Sequence, residues 1–442
     1  MGTSEPAASA GPPVRVQPSF SGRIPAGLVL LLSALTAVGP LTIDLYLAAF
    51  PEIAIDLGTS RASVQLTMTT TLIGLALGQL VIGSLSDALG RRRPLVAAFA
   101  LYGATSLAIA FTTSIAALAA LRGIQGFAAA AGMVMSMAIV RDRFSGPRVA
   151  KVIARLMLIV GVAPILAPTL GAQILRFGDW RAMFFVLAVV GAALLALVLL
   201  FLQESLPAQY RRSGGIRPAL ASYGSLLRDR SFVALALLAG FYMAAMFTYV
   251  STSTFVFQEG FGLTAQQFAL IFGAGAIAVT AGSQINGALA GRVTPERILS
   301  VVVPVGVVLS LVLVVVAATV GRTIAGIGPL VAALVLVLGT AGFVMPSVPA
   351  IALERNAHQA GSAAALLGAS QFGVGAAIAP VTGLFGEVSA LTMAAVMSGT
   401  ILVAAGLLLL VARGWAREAR PDSAVQDAPV DDGVPALAVE GA

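Results

Sequence analysis

Cysteine is absent from this sequence, and histidine occurs only once, at position 358. Without cysteine the chain has no disulfide bond, thiol nucleophile or thiolate metal site, and one histidine does not make a metal-binding cluster. There is also no glycine-rich phosphate loop ending in Gly-Lys-Ser or Gly-Lys-Thr, and no Ser/His/Asp set that suggests nucleophilic catalysis. We therefore expect that the protein is neither an enzyme nor an ATP-driven pump and that it holds no metal or other cofactor.

Charged residues are scarce at 10% of the chain, whereas hydrophobic residues make up 58% and the mean hydropathy is +0.97. Such a composition does not suit a water-facing surface, so most of the chain is expected to lie in lipid. Apolar runs of roughly 20 residues, the length that crosses about 30 Å of hydrocarbon, recur along the chain. Each run is predicted to be a helix, because lipid offers no hydrogen bonds to the backbone. The twelve predicted spans lie near residues 25–50, 63–86, 95–112, 114–140, 149–175, 182–203, 232–257, 266–290, 298–319, 325–352, 360–386 and 389–412.

The spans divide six and six around one long polar stretch, and the second set repeats a feature of the first. GSLSDALGRRRPLV at 83–96 reappears as GALAGRVTPERILS at 287–300. Duplicated halves are common in secondary transporters, and chance similarity between two basic loops is the alternative. We predict an all-α membrane protein with two pseudo-symmetric six-helix halves. Its predicted divisions are a disordered N-tail 1–22, a first bundle 23–203, a connector 204–231, a second bundle 232–412 and a C-tail 413–442.

The distribution of basic residues predicts the orientation of the spans. Of the 26 lysines and arginines, Arg122 falls within a span, and only Arg61, Arg176, Arg181 and Arg322 fall in loops on one side. The rest lie in the two tails, the connector and the loops of the other side. Because loops rich in lysine and arginine stay in the cytoplasm, both termini are predicted to be cytoplasmic. The net charge of +7 is therefore explained by membrane topology, and no nucleic-acid partner is expected.

Two ionisable residues lie within predicted spans, Asp44 in the first and Arg122 in the fourth. A charge at a helix centre costs roughly 2.5–3.5 kcal/mol on insertion scales, so each of them calls for a reason. Counting residues from the span ends places both in the outer half of the membrane at similar depth, where the two side chains could meet. A carboxyl group whose proton affinity changes when a cationic substrate binds meets the requirement for proton coupling. A structural ion pair between two helices is the alternative.

The loop after the second span brings carboxylates and arginines to the cytoplasmic side. Asp87 ends that span, Gly90 suits a tight turn, and Arg91 follows it, while Asp142 lies near the end of the fourth span. Such residues form an interhelix charge cluster that closes one face and breaks when the two halves move. A solvated loop whose arginines only set the topology is the alternative.

Two further spans carry polar or helix-bending residues. The fifth contains GVAPILAPTLG, in which Pro164 and Pro168 predict a bend and the flanking Gly161 and Gly171 allow a neighbour to approach closely, although simple packing of small residues is an equal alternative. The seventh carries hydroxyl, methionine and aromatic side chains that suit a cavity for varied ligands, with packing or lipid contact as the alternative. The candidate cavity residues are Tyr46, Gln125, Tyr242, Met243, Met246, Tyr249 and Ser253.

These segments together resemble one transporter family across residues 25–412. GSLSDALGRRRPLV, with Gly83 at its start, resembles the loop signature of the major facilitator superfamily, and LRGIQG at 121–126 resembles its fourth-helix arginine motif. GVAPILAPTLG resembles the fifth-helix antiporter motif. TIDLYLAAFPEIA at 42–54, YVSTSTFVFQ at 249–258 and GSQINGAL at 282–289 resemble the Bcr/CflA drug-resistance branch. Ala48 and Thr254 stand where that branch has proline, so bends in the first and seventh helices have less support.

The resemblance implies proton-driven export of drug-like small molecules across a bacterial inner membrane by alternating access. Asp44 and Arg122 would then serve coupling and binding, and Asp87, Arg91 and Asp142 would serve gating, in a monomer whose partners are protons, substrate and lipid. An exporter of an endogenous metabolite or a self-made antibiotic is the nearest alternative. A proton-coupled importer is less favoured because of the antiporter-like fifth helix. The identity of the substrate is not fixed by the sequence.

Overall fold

The computed structural model describes residues 25–211, 217–319, 326–385 and 389–418, and every regular element in that part of the chain is helical. Twelve helices are long and apolar enough to cross a membrane, which confirms the predicted class and count. The predicted N-tail and all but the first residues of the predicted C-tail lie outside the described residues. Spans 1 to 12 run over Ala26–Asp56, Arg61–Leu89, Arg92–Ala110, Ile115–Arg143, Lys151–Phe177, Trp180–Phe201, Arg230–Gly260, Ala265–Leu289, Pro295–Thr319, Ile327–Arg355, Ala357–Gly383 and Ala390–Ala412.

The regular α-helix of spans 1 and 7 is interrupted in the C-terminal part of each span. Span 1 is α-helical over Ala26–Asp44, passes through a 3₁₀ turn at Leu47–Ala49 and resumes as a short helix at Phe50–Asp56. Span 7 is α-helical over Arg230–Thr254 and widens into a π-helical turn at Phe255–Gly260. Both irregularities occur although proline is absent from positions 48 and 254. In span 1, Pro51 at the start of the resumed helix has no backbone N–H to continue the hydrogen bonds of the first helix. Contacts between the two spans, described below, hold both irregular segments.

Small residues let the spans pack with their backbones close together. A Cβ atom on Gly126 of span 4 would lie 2.2 Å from the carbonyl oxygen of Thr71 of span 2, and one on Gly132 would lie 2.0 Å from that of Leu35 of span 1. Membrane helices associate through such close contacts, because lipid supplies no hydrophobic force between them. Spans 2 and 11 pack against each other, as do spans 5 and 8, and these pairs join the first six spans to the last six.

Consecutive spans alternate in direction, so all loops belong to one of two membrane faces. We call the face with the loops after Leu89 and Arg143 the basic face, and the other the opposite face. The segment between spans 6 and 7, which the sequence analysis treats as a polar connector, contains a helix at Arg217–Arg228. This connector helix lies at the basic face against spans 7 and 11.

Candidate functional site

Asp44 is the last residue of the first α-helix, directly before the break in span 1, and only 5% of its surface is exposed. Among the described residues its carboxyl group forms no hydrogen bond and no ion pair. Tyr249 of span 7 lies near enough for an electrostatic interaction with it. The hydroxyl group of Tyr249 is itself buried without a hydrogen-bond partner in the described part of the chain. The carboxyl group of Asp44 therefore lies inside the bundle, near span 7.

Arg122 is fully buried and its guanidinium group binds neutral partners. Nη2 donates to the carbonyl oxygen of Thr42 at 2.9 Å, and Nη1 donates to Oε1 of Gln125 at 2.7 Å. The guanidinium carbon lies 4.0 Å from the centre of the Tyr46 ring, a cation–π contact. No ion pair joins Arg122 to Asp44 in the described chain. The structural ion pair considered from the sequence is therefore not formed, although Arg122 contacts span 1 two residues before Asp44.

A second layer of hydrogen bonds fixes the partners of Arg122. Nε2 of Gln125 donates to the hydroxyl group of Ser106 at 2.7 Å, and the hydroxyl groups of Thr42 and Tyr102 are 2.8 Å apart. Spans 1, 3 and 4 thus share one buried polar network. Because polar groups in a dry interior are costly unless paired, this network fixes the guanidinium in place. Only its Nε atom lacks a partner in the described residues.

The break in span 1 contacts the π-helical turn of span 7. The hydroxyl group of Thr254 donates to the carbonyl oxygen of Leu47 at 3.1 Å, and Nε2 of Gln258 donates to that of Ala48 at 3.2 Å. An ion pair between Arg61 of span 2 and Glu259 lies just beyond them. All of these bonds join the first six spans to the last six and lie toward the opposite face.

Two more cross-bundle hydrogen bonds lie at this end of the molecule. Nε2 of Gln65 donates to the carbonyl oxygen of Ser251 at 3.2 Å, and Nε2 of Gln266 donates to that of Ala172 at 3.3 Å. Together with the bonds of Thr254 and Gln258 and the pair Arg61–Glu259, they close the opposite face. We call these five contacts the seal.

Span 5 supports the break in span 1 through a glycine predicted from the antiporter-like motif. A Cβ atom on Gly171 would lie 2.0 Å from the carbonyl oxygen of Leu45, so only glycine fits between the two backbones. Near the middle of the same span, Gly161 accepts a hydrogen bond from Thr280 of span 8 through its carbonyl oxygen at 3.1 Å. The α-helix continues through Pro164 and Pro168.

The predicted charge cluster is assembled at the basic face. The guanidinium group of Arg91 donates to Oδ1 of Asp87 at 2.6 Å and to Oδ2 of Asp142 at 2.9 Å, which connects spans 2 and 4. Gly90 has a φ of +91°, a conformation that other residues rarely adopt. Gly83 is different, because a Cβ atom there would make only an ordinary contact, 3.5 Å from Val134.

Glu204, which follows span 6, completes this cluster and is absent from the sequence-based assignment. Its carboxylate accepts hydrogen bonds from the backbone N–H groups of Arg91 at 2.7 Å, Arg92 at 3.1 Å and Leu206 at 3.0 Å. Burial would raise the pKa of Glu204, but these three N–H donors together with the positive charge of Arg211 outweigh burial and hold the pKa below its usual value. The one sequence feature that could have indicated this role is that Glu204 is an acidic residue directly after a predicted span.

The predicted cavity residues do not share one surface. Gln125 and Tyr46 belong to the Arg122 network, and the hydroxyl group of Tyr242 points at Gly306 inside the last six spans, where a Cβ atom would lie 2.4 Å from it. Ser253 is fully buried, one turn from Tyr249, and its hydroxyl group lacks a partner in the described chain. Met243 and Met246 are half-buried on span 7.

Comparison with known proteins decides the family. The family model described as Major Facilitator Superfamily matches residues 32–380. The chain belongs to the major facilitator superfamily. It is 39% identical over 385 residues to the uncharacterized MFS-type transporter YdgK of Bacillus subtilis, covering 87% of this chain and 94% of that protein. It is 30% identical to a bicyclomycin resistance protein homolog of Haemophilus influenzae, covering 79% and 86% of the two chains.

Other superfamily members agree in fold. The multidrug resistance protein MdtL of Escherichia coli O157:H7 is 32% identical over 249 residues, 56% of this chain and 61% of that protein. Two solved structures superpose with a TM-score of 0.66: a bacterial homolog of the human lysosomal transporter Spinster, 15% identical over 90% of this chain and 98% of its own, and a D-xylose-proton symporter, 14% identical over 86% and 96%. As a superfamily member the chain is a multi-pass membrane transporter of small molecules and not an enzyme.

Proposed function

We propose that this transporter is a proton-coupled antiporter that exports drug-like small molecules by alternating access, with Asp44 as the proton-carrying group. The main support for the proposal is that Asp44 is buried at the break in span 1, where no described residue offers its carboxyl group a hydrogen-bond donor or a cation. An unpaired carboxylate is costly in such a place and a neutral carboxyl group is not. When the seal opens, water reaches the site and the proton can leave.

Antiport follows if proton and substrate compete for this region of the molecule. In the described residues, the hydroxyl groups of Tyr249 and Ser253 on span 7 lack hydrogen-bond partners, and Tyr249 lies near enough to Asp44 to interact with it electrostatically. A cationic substrate bound beside them would favour the charged form of Asp44 and so displace its proton. A charge that crosses 100 mV gains about 2.3 kcal/mol, which is comparable to the cost of burying it. The membrane gradient is therefore large enough to drive the exchange.

The drug-like substrate and the Bcr/CflA branch are supported by two relatives, the bicyclomycin resistance protein homolog and MdtL. We place the protein in a bacterial inner membrane as a monomer with cytoplasmic termini, on the bias of arginine and lysine toward the basic face. The charge cluster of Asp87, Arg91 and Asp142 would then close and open the cytoplasmic side. Arg122 would position span 1 through Thr42 and keep Asp44 in reach of span 7.

The test uses everted membrane vesicles from an efflux-deficient host. A growth-inhibition panel first identifies a compound that the chain exports. With an imposed pH gradient, the wild-type chain should accumulate this compound and dissipate the gradient, whereas Asp44→Asn should do neither at equal expression. Glu354→Gln, at an exposed carboxyl group near the end of span 10, serves as the matched control and should behave as wild type. Undiminished gradient-driven uptake by Asp44→Asn would refute the assignment.

A further inference from the structure

The connector helix, Arg217–Arg228, is fixed to the body of the protein along one side. The hydroxyl group of Tyr223 donates to the carbonyl oxygen of Leu80 in span 2 at 2.9 Å, and that of Ser225 donates to Oε1 of Gln359 at the start of span 11 at 3.1 Å. Tyr223 and Leu226 are buried. The helix therefore has a defined orientation, with one long side turned away from the spans.

The side turned away is apolar. Leu220 and Leu227 are each 59% exposed, and their spacing of seven residues places them on one face of the helix, with Gly224 between them. These two leucines form a small apolar surface on the outward side of a helix of 12 residues that packs against the protein on its other side. Water is therefore a poor environment for this face.

The position of the helix identifies the environment that suits it. Span 7 begins at Arg230, so only Arg228 and Asp229 separate Leu227 from a membrane-spanning helix. Asp229, between the two helices, accepts a hydrogen bond from the backbone N–H of Ser231 and so caps span 7. The connector helix thus lies at the basic-face end of span 7, which is the level of the lipid headgroups for a span of this length.

The charges beside this face are positive. Arg228 and Arg230 are exposed, and the carboxylate between them, on Asp229, is already used as the cap. Basic residues near a membrane surface are attracted to anionic lipids, and an amphipathic helix with leucines on one side inserts them at the boundary of the acyl chains. A soluble protein partner would have to compete with the bilayer that lies beside the helix.

We infer that Arg217–Arg228 is an interfacial helix that docks onto the anionic lipid surface at the basic face, with Leu220 and Leu227 among the lipid chains and Arg228 and Arg230 at the headgroup phosphates. Tyr223 and Ser225 hold the helix to spans 2 and 11, so lipid docking fixes its position relative to both sets of six spans. This proposal concerns the bilayer and does not depend on the transported compound or on Asp44.

The absence of cysteine makes a direct test possible. Leu227→Cys provides one labelling site for an environment-sensitive fluorophore, and Ala221→Cys, at an exposed position about 120° around the helix at 100° per residue, provides the matched control without breaking an anchoring bond. The labelled chains are reconstituted at low density in phosphatidylcholine vesicles with or without phosphatidylglycerol, and with nitroxide-labelled lipid as quencher. We expect stronger quenching and a blue-shifted emission for the label at position 227, increased by phosphatidylglycerol and reduced by Arg228→Gln with Arg230→Gln.

Three results would overturn the inference. Equally weak quenching at positions 227 and 221 would place the apolar face in water. Quenching at position 227 that does not change with phosphatidylglycerol would exclude a role for anionic lipid. A signal that follows the number of transporters per vesicle would assign the face to a second copy of the chain. None of these readouts requires transport, so failure here is distinct from failure of the proposed antiport.

Discussion

At the scale of single residues, Glu204 determines the geometry of the charge cluster at the basic face although it lies outside the predicted motif. One carboxylate binds three backbone N–H groups and so fixes the turn that presents Arg91 to Asp87 and Asp142. Glu204 also helps to restrict position 90 to glycine, because a Cβ atom there would lie 2.6 Å from Oε2 of Glu204. The geometry of the basic-face cluster therefore depends on a residue outside the predicted motif.

Replacement of this carboxylate should lower stability in a pH-dependent way. The folded-state pKa of Glu204 lies below its usual value near 4.5, so its stabilising effect is present above that pH and is lost as the pH falls through the folded-state pKa. At neutral pH, Glu204→Gln should cost about 1–2 kcal/mol, since hydrogen bonds to a charged group are lost while the site stays partly exposed. Thermal unfolding of both chains in detergent should show a difference that shrinks below pH 4.5; a constant difference would contradict this.

The placement of Asp44 and Arg122 inside the bundle could be predicted from the sequence, because ionisable groups within spans are few and each has a cost in lipid. The pairing of Arg91 with Asp87 and Asp142 could be predicted from their shared position at one membrane face. The partners of Arg122 could not. Arg122 binds a carbonyl oxygen of Thr42 rather than the carboxyl group of Asp44, and such a choice depends on rotamers and helix rotation that a spacing rule does not contain. The same holds for Tyr242, which points at Gly306 and away from the predicted cavity.

At the scale of elements, span boundaries follow closely from hydrophobic length, whereas the interruptions of spans 1 and 7 do not. Positions 48 and 254, where proline would predict a bend, lack it, although Pro51 starts the short helix after the break in span 1. The irregular backbone is held instead by the contacts of Thr254 and Gln258 with span 1 and of Gly171 with Leu45. Non-helical backbone at membrane depth is tolerated where the protein buries it. The connector helix at Arg217–Arg228 was not predicted, because the segment was assigned only as a polar connector.

The contact between spans 5 and 1 gives a prediction for the element as a whole. Gly171→Ala should push span 5 away from the break, because its Cβ atom would meet the carbonyl oxygen of Leu45 at 2.0 Å. We expect a loss of about 1–3 kcal/mol in stability and a lower transport rate. Gly287→Ala in span 8, with nothing within 4 Å of its Cβ atom, should be neutral or slightly stabilising. Equal melting temperatures of the two variants in detergent would disprove the tight fit.

At the scale of the whole molecule, the seal joins the two sets of six spans at the opposite face. The pair Arg61–Glu259 is its most accessible member, with side chains 49% and 25% exposed. An ion pair of this exposure contributes up to about 1 kcal/mol, which corresponds to at most about a fivefold change in the ratio of closed to open molecules. The pair Arg61–Glu259 alone therefore makes only a small contribution to the closed state of the seal.

Charge reversal should open the seal and a double reversal should close it. Arg61→Glu should increase the labelling of Ser253→Cys by a membrane-impermeant thiol reagent from the opposite face, by up to about fivefold. The combination Arg61→Glu with Glu259→Arg should restore the slow labelling, since the chain contains no other cysteine and the pair is re-formed. If the double variant labels as fast as the single one, the ion pair does not contribute to closure.

The central claim, that Asp44 carries the exchanged proton, is tested most directly by measuring protons on the purified transporter. In weakly buffered detergent solution with a pH indicator, addition of an exported compound should release protons from the wild-type chain and from Glu354→Gln. Asp44→Asn should bind the compound without releasing any. Proton release by Asp44→Asn equal to that of the wild-type chain would contradict the account.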